Sequence, residues 1–245
     1  VKPRTLQFEQ LEPRQCLAAL IAVVDTGTPL NRYGNPLGVI RKNFVDAKAS
    51  VIDFDGHARA VWQAARSAAP SEARFAFLKV STDAGLISAH AVNDAMQWIE
   101  DYRGPHTFVS VTLAHGSGGN FTVTPRWAFY EENLRDLKEL GITVVAAAGN
   151  SYTGTPGAVY PGVSQYVVCA MASSGTKLQP WSQRISTGLA VDEGSTSRAT
   201  GKLAGYVCTV VVAGSDEPVE LLRETADVIA GGYLKVNIQR ARAAA

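Results

Sequence analysis

An α/β fold of three layers, a mostly parallel twisted sheet with helices on both faces, is predicted by three features of this sequence. Apolar, β-branched runs alternate with segments whose apolar residues recur every three or four positions. That strand-then-helix order, repeated, is what a parallel sheet with right-handed crossover helices requires. The third feature is bulk: 245 residues, 46% hydrophobic and 18% charged, suffice to bury one large core.

Taken in order, buried strands are predicted at 19–24 (ALIAVV), 73–80 (ARFAFLKV), 107–113 (TFVSVTL), 141–148 (GITVVAAA) and 165–171 (QYVVCAM). Helices are predicted between them at 57–69, 87–102 and 126–140, each with a stripe of apolar residues. The Gly, Pro, Ser and Asn content of 150–162 reads as a loop, and a second loop is expected over 173–196. Two helices should follow, at 197–211 and 217–232. The sequence shows no repeat, low-complexity tract or linker, so residues 19–245 read as one domain preceded by an extension over 1–18.

Lys and Arg number 23 against 22 Asp and Glu, for a net charge of +1. Such a balance supplies no electrostatic pull toward nucleic acid or an anionic membrane. No apolar run has the length of a bilayer span, and a monomer is expected. Cys16, Cys169 and Cys208 lack metal-ligand spacing and suggest no disulfide framework; Cys169, within an apolar strand, reads as a small buried hydrophobe.

Functional groups in sheets of this kind gather at the carboxyl ends of the strands. Asp25 closes the first strand in IAVVDTG, and Asn150 follows the strand at 141–148. His57 and Ser197 each open a predicted helix. On its own, Asp25 has three readings: the end of a buried strand at a turn, one half of an aspartic-protease pair, or the acid that orients a catalytic histidine. An aspartic protease needs a second Asp-Thr/Ser-Gly in the chain or in a symmetric partner; the chain holds one, and its parallel α/β pattern is wrong for that all-β class. Ser197 has two readings, a nucleophile or an ordinary helix N-cap.

Asp25, His57 and Ser197 follow the acid–base–nucleophile order of subtilisin. The surrounding segments carry the likeness further. IAVVDTG (21–27), the histidine segment 53–80, VSVTLAHGSGG (109–119), GITVVAAAGNSY (141–152), GSTSRATGKLAG (194–205) and GGYLKVNIQRA (231–241) resemble, in order, the motifs of the subtilisin-like serine proteases (subtilases, the peptidase S8 family). The resemblance spans about residues 19–242.

It implies a serine endopeptidase acting through an acyl-enzyme. In that reading Ser197 is the nucleophile, His57 the general base, Asp25 the residue that holds the imidazole, and Asn150 the side-chain donor of the oxyanion hole. Ser110, Thr112, Leu113 and Ala114 would pair with an extended peptide substrate. Ala147, Ala148 and Gly149, with Ala146, would line the pocket for the residue before the cut bond, their small side chains leaving room for a bulky one.

The chemistry implies no required cofactor and no catalytic metal. Bound calcium is common in the resembled family, and DFDG (53–56) looks like a fragment of a calcium loop. LEPRQCLA (11–18) resembles a short motif of exported bacterial proteins, which points to an extracellular location.

The chain departs from the family pattern in four places. Ala58 and Arg59 replace the Gly-Thr that follows the histidine, Ser195 and Gly201 replace a glycine and a proline around the nucleophile, and the stretch 181–194 is short. The short stretch predicts a trimmed sheet edge. These departures motivate an alternative reading, a catalytically impaired subtilase-like domain that binds peptides or serves as a structural module.

Overall fold

The computed structural model describes residues 18–124 and 130–245. Its elements run β1 (Ala19–Asp25), β2 (Ile40–Asn43), α1 (His57–Ala68), β3 (Arg74–Lys79), α2 (Ala89–Glu100), β4 (Thr107–Leu113), β5 (Ser117–Phe121), α3 (Glu131–Glu139) and β6 (Thr143–Ala147). They continue with β7 (Ala158–Tyr160), β8 (Val168–Ser174), β9 (Lys177–Leu178), β10 (Leu189–Asp192), α4 (Thr196–Val212), α5 (Pro218–Glu224), β11 (Asp227–Ile229), β12 (Tyr233–Lys235) and α6 (Ile238–Ala244). Among the described residues, ten strands form one sheet in the order β11-β12-β10-β8-β6-β4-β1-β3-β2, with β9 antiparallel to β8. Every neighbouring pair from β12 to β2 is parallel; the β11–β12 hairpin at the edge is antiparallel.

Alternation along the strands builds two cores. Ile21 and Val23 of β1 face the side of α1 and α4, where they join Val61, Leu203 and Val207. Leu20, Ala22 and Val24 face the opposite side and join Met96 of α2 and Leu134 of α3. All seven residues of β1 are buried, which explains the unbroken apolar run: a central parallel strand has no solvent face. Cys169 and Cys208 are free and buried, and burial pushes both thiols up to about 12. Cys16 and the rest of residues 1–17 lie outside the described residues, as do 125–129, where part of the helix expected at 126–140 falls.

Three expectations are corrected. The loop expected over 173–196 contains β9 and β10, and the sheet is not trimmed there: β10 pairs with β8 and then with β12, so two more strands follow. LAV within β10 is too short a run to stand out from its polar flanks, yet all three residues are buried. The loop expected over 150–162 contains β7, which pairs with β5 in a separate ribbon. The helix expected over 217–232 ends at Glu224; Val228 and Ile229 enter β11, and Gly231 and Gly232 turn the chain into β12.

α1 and α4 lie against each other on one face of the sheet. A Cβ on Gly201 would sit 2.2 Å from the Val61 carbonyl oxygen, and one on Gly205 would sit 2.5 Å from that of Ala65. The departure at Gly201 therefore has a physical reason, since the backbones of the two helices touch there. These are the helices that begin with His57 and with Thr196–Ser197, so their packing sets the spacing between the two side chains.

Candidate active site

β1 ends at the carboxyl edge of the sheet, and Thr26 and Gly27 turn the chain away. Gly27 has φ +144°, and a Cβ there would lie 2.7 Å from the Ile52 backbone. That close approach lets the 51–53 segment dock: Thr28 N–H donates to Val51 O at 2.7 Å and Asp53 N–H to Thr28 O at 3.0 Å. The docked loop then delivers α1. Asp53 Oδ1 accepts from Gly56 N–H and from the Thr26 hydroxyl, Asp53 Oδ2 accepts from Arg59 N–H, and Asp55 Oδ1 accepts from His57 N–H. Carboxylates at a helix N-terminus satisfy donors that have no partner inside the helix. Thus the protein's own donors engage the Asp53 carboxylate and Asp55 Oδ1, and DFDG is built here as a helix cap.

The result is a close pair. His57 Nδ1 lies 2.7 Å from Asp25 Oδ1, which also accepts from Thr26 N–H at 2.7 Å. The hydrogen bond to Asp25 raises His57 above the usual 6.5; burial opposes it, while the charges of Asp25, Asp55 and Asp53 add to it. Ala58, one of the departures, is fully buried, and its N–H donates to the Thr26 hydroxyl. Arg59 Nη2 donates to Leu30 O at 2.9 Å and so has its own partner.

The other half of the site is assembled from the exits of β4 and β6 and the start of α4. Ser195 is the N-cap: its hydroxyl accepts from Arg198 N–H at 3.2 Å. Ser197 is therefore free of the capping duty that was its alternative reading. Its hydroxyl donates to Ala114 O at 3.0 Å. Thr196, between the two serines, ties β6 to α4: its hydroxyl accepts from Gly149 N–H, and both its N–H and its hydroxyl donate to Asn150 Oδ1 at 3.0 Å. With its oxygen engaged, the Asn150 side chain on the exposed Asn150 has only its amine to offer outward.

The sequence-predicted residues separate into three groups. Asp25 and His57 are joined directly. Ser197 and Asn150 stand at the exits of β4 and β6, with the Ser197 hydroxyl on a backbone carbonyl. Ser110, Thr112 and Leu113 are corrected as peptide-pairing residues, because β4 is already paired with β1 on one side and β6 on the other. Ser110 and Thr112 are fully buried, and the Ser110 hydroxyl donates to Ala204 O inside α4. Ala114 lies just beyond β4, where its carbonyl meets Ser197.

Ala147 and Ala148 are buried, and Gly149 lies against Gln183 and Val159, so the room expected beside them is occupied. Thr26 and Thr196 are residues that sequence reasoning did not single out, and Asp53, noted only within the DFDG fragment, joins them through its contacts at the start of α1. Their signal was proximity to motif residues: each is a short oxygen-bearing side chain next to a helix start or the strand-end acid.

His115 follows Ala114 at the exit of β4. Both ring nitrogens are buried without a hydrogen-bond partner, and burial pushes the imidazole down to about 4, with Asp25 and His57 close enough to affect its charge. No helix among the described residues is long and apolar enough to cross a membrane.

No protein-family model and no curated protein matches the sequence. Among solved structures, the chain is similar to the crystal structure of a cold adapted subtilisin-like serine proteinase. The two share 17% identity, with a TM-score of 0.72 over 90% of this chain and 87% of that one. With its mostly parallel sheet flanked by helices and its Asp–His pair at the carboxyl edge, the chain has a subtilisin-like fold.

Proposed function

We propose that this protein is a serine endopeptidase of the subtilisin-like type, acting on peptide or protein substrates without a cofactor in the chemical step. The observation that carries this reading is the 2.7 Å contact between Asp25 and a His57 whose basicity it raises. His57 Nε2 takes the proton of Ser197 as Oγ attacks the peptide carbonyl carbon. The oxygen of the tetrahedral intermediate is held by the Asn150 amine and the Ser197 N–H. As the C–N bond breaks, His57 returns the proton to the leaving amine; water then repeats the sequence on the acyl-enzyme and releases the acid. Asp25 keeps the imidazole in the tautomer with Nδ1 protonated and stabilises the imidazolium.

The contact of Ser197 with Ala114 O favours the second reading, a subtilase-like domain that binds peptides without cleaving them. Rapid-mixing kinetics with a peptide ester separate the two. The proposal expects a burst of alcohol equal to the enzyme present, absent in Ser197→Ala. A folded protein with neither burst nor turnover would leave the binding reading.

A further inference from the structure

We infer that Lys79 is a positioning residue for His57: its ammonium fixes the peptide that leads into the cap of α1, so that the imidazole arrives on Asp25. The inference rests on the hydrolase reading only for its effect on turnover.

Lys79 ends β3, beside Asp25 in the sheet register, and is only 1% exposed. A lysine so deeply buried needs partners for its charge. Nζ donates to Ile52 O at 3.1 Å and to Asp83 Oδ1, and it lies 5.2 Å from the centre of the Phe54 ring. An ammonium has three protons to place, and these neighbours take up its charge.

The peptide between Ile52 and Asp53 is gripped at both ends. Its carbonyl accepts from Lys79, and its N–H donates to Thr28 O at 3.0 Å. Asp53 follows at once, with its carboxylate on Gly56 N–H, Arg59 N–H and the Thr26 hydroxyl, and Asp55 takes His57 N–H. Turning the gripped peptide would therefore turn the cap and the first residue of α1. Asp83, the other partner of Lys79, belongs to the loop 81–87, closed by Thr82 N–H on Leu86 O at 3.0 Å and by the Ser81–Ile87 bridge. That loop lies against the same cap, since a Cβ on Gly85 would be 2.9 Å from Asp55 Oδ2. One buried ammonium thus ties together two loops that both bear on the start of α1.

Methionine at this position would fill similar space but leave Ile52 O without its donor, and the peptide would be held from Thr28 alone. The hydrogen bond to Asp25 is the largest cause of the raised pKa of His57. Loosening that contact lowers the pKa. Removing a nearby cation without moving the ring would raise it instead. A positioning role and a bare charge effect therefore have opposite signs.

The test is an NMR titration of the full chain labelled with ¹⁵N-histidine, with His57 assigned through His57→Gln. Lys79→Met is expected to titrate His57 closer to 6.5 than the wild type does, and to exchange the proton between Nδ1 and Asp25 with water faster. Its kcat should fall on the order of 10²-fold, the loss that a misplacement of about 1 Å can cause. A folded Lys79→Met whose His57 titrates and exchanges as in the wild type, or titrates higher, overturns the inference whatever happens to its melting temperature. Should Lys79→Met fail to fold, Asp83→Ala decides, at an exposed side chain. It frees one side of the ammonium and should move both signals in the same direction by less; unchanged signals, or a raised titration, overturn the inference.

These signals need no turnover. A wild type that cleaves no peptide counts against the hydrolase reading alone, and the signals still decide the role of Lys79. Full turnover by Lys79→Met with wild-type signals overturns the inference and leaves the hydrolase reading intact.

Discussion

Asp25 and His57 are brought together by contacts spanning 27 to 32 residues of chain, whereas Ser197 and Asn150 depend on contacts spanning 46 to 83. On the first side, one loop does the positioning. Gly27 lets 51–53 dock, and Asp53 and Asp55 cap the helix that His57 begins. On the second side, the exits of two strands must meet the start of α4, and α4 is placed by backbone contact with α1. The difference teaches that the base is fixed largely by its own neighbourhood, while its distance from the serine is a property of the whole helix pair. The base is already on its acid; the serine is on a carbonyl.

The comparison can be broken most severely at its local half. Asp25→Asn is expected to keep the fold and to lower kcat on the order of 10⁴-fold, since the amide stabilises the wrong imidazole tautomer. Steady-state kinetics beside a circular-dichroism spectrum check this. Next in size is Asn150→Asp, which keeps an oxygen for Thr196 but removes the outward amine. Turnover should fall by a factor on the order of 10² to 10³ with thermal stability little changed, in line with loss of one oxyanion donor. Stability falling as steeply as turnover would mean that Asn150 is only a tie between β6 and α4.

Gly201→Ala tests the helix contact. At an open helix position this change is stabilising by about 1 kcal/mol. Here the added methyl meets the Val61 carbonyl, and the variant should instead lose about 1–3 kcal/mol in urea unfolding, with kcat reduced as His57 and Ser197 move apart. The smallest effect is in pH. Hydrolysis needs neutral His57, and its raised pKa places the acid limb of kcat/KM above 6.5. Stability has the opposite sign: the pair's contribution is complete below the unfolded value of about 6.5 and is lost as pH rises through the folded value. Asp25→Asn should bring the acid limb down.

Much of this was legible in the sequence because it follows from local pattern. A fully buried strand ending in Asp25, a helix starting at His57 and a strand ending before Asn150 are read from apolar runs and their polar ends. Relations set by pairing at a distance were not legible. Ser110 to Leu113 were expected to pair with a peptide because a sequence does not say that β4 lies between β1 and β6. Val159 is one apolar residue in a loop-like stretch until β5 pairs with β7 and holds it between Gly116 and Gly149. β10 was missed because its apolar run is shorter than the polar sequence around it. Ser197 had two local readings, and only the position of Ser195 at the cap separates them.

The central claim is that Ser197 is made nucleophilic by the Asp25–His57 pair, and covalent labelling tests it most directly. The folded protein should react with a fluorophosphonate, and peptide mass spectrometry should place the adduct on Ser197, with labelling lost in Ser197→Ala and greatly slowed in His57→Ala. A well-folded protein that stays unlabelled, or one labelled equally fast without His57, would contradict it.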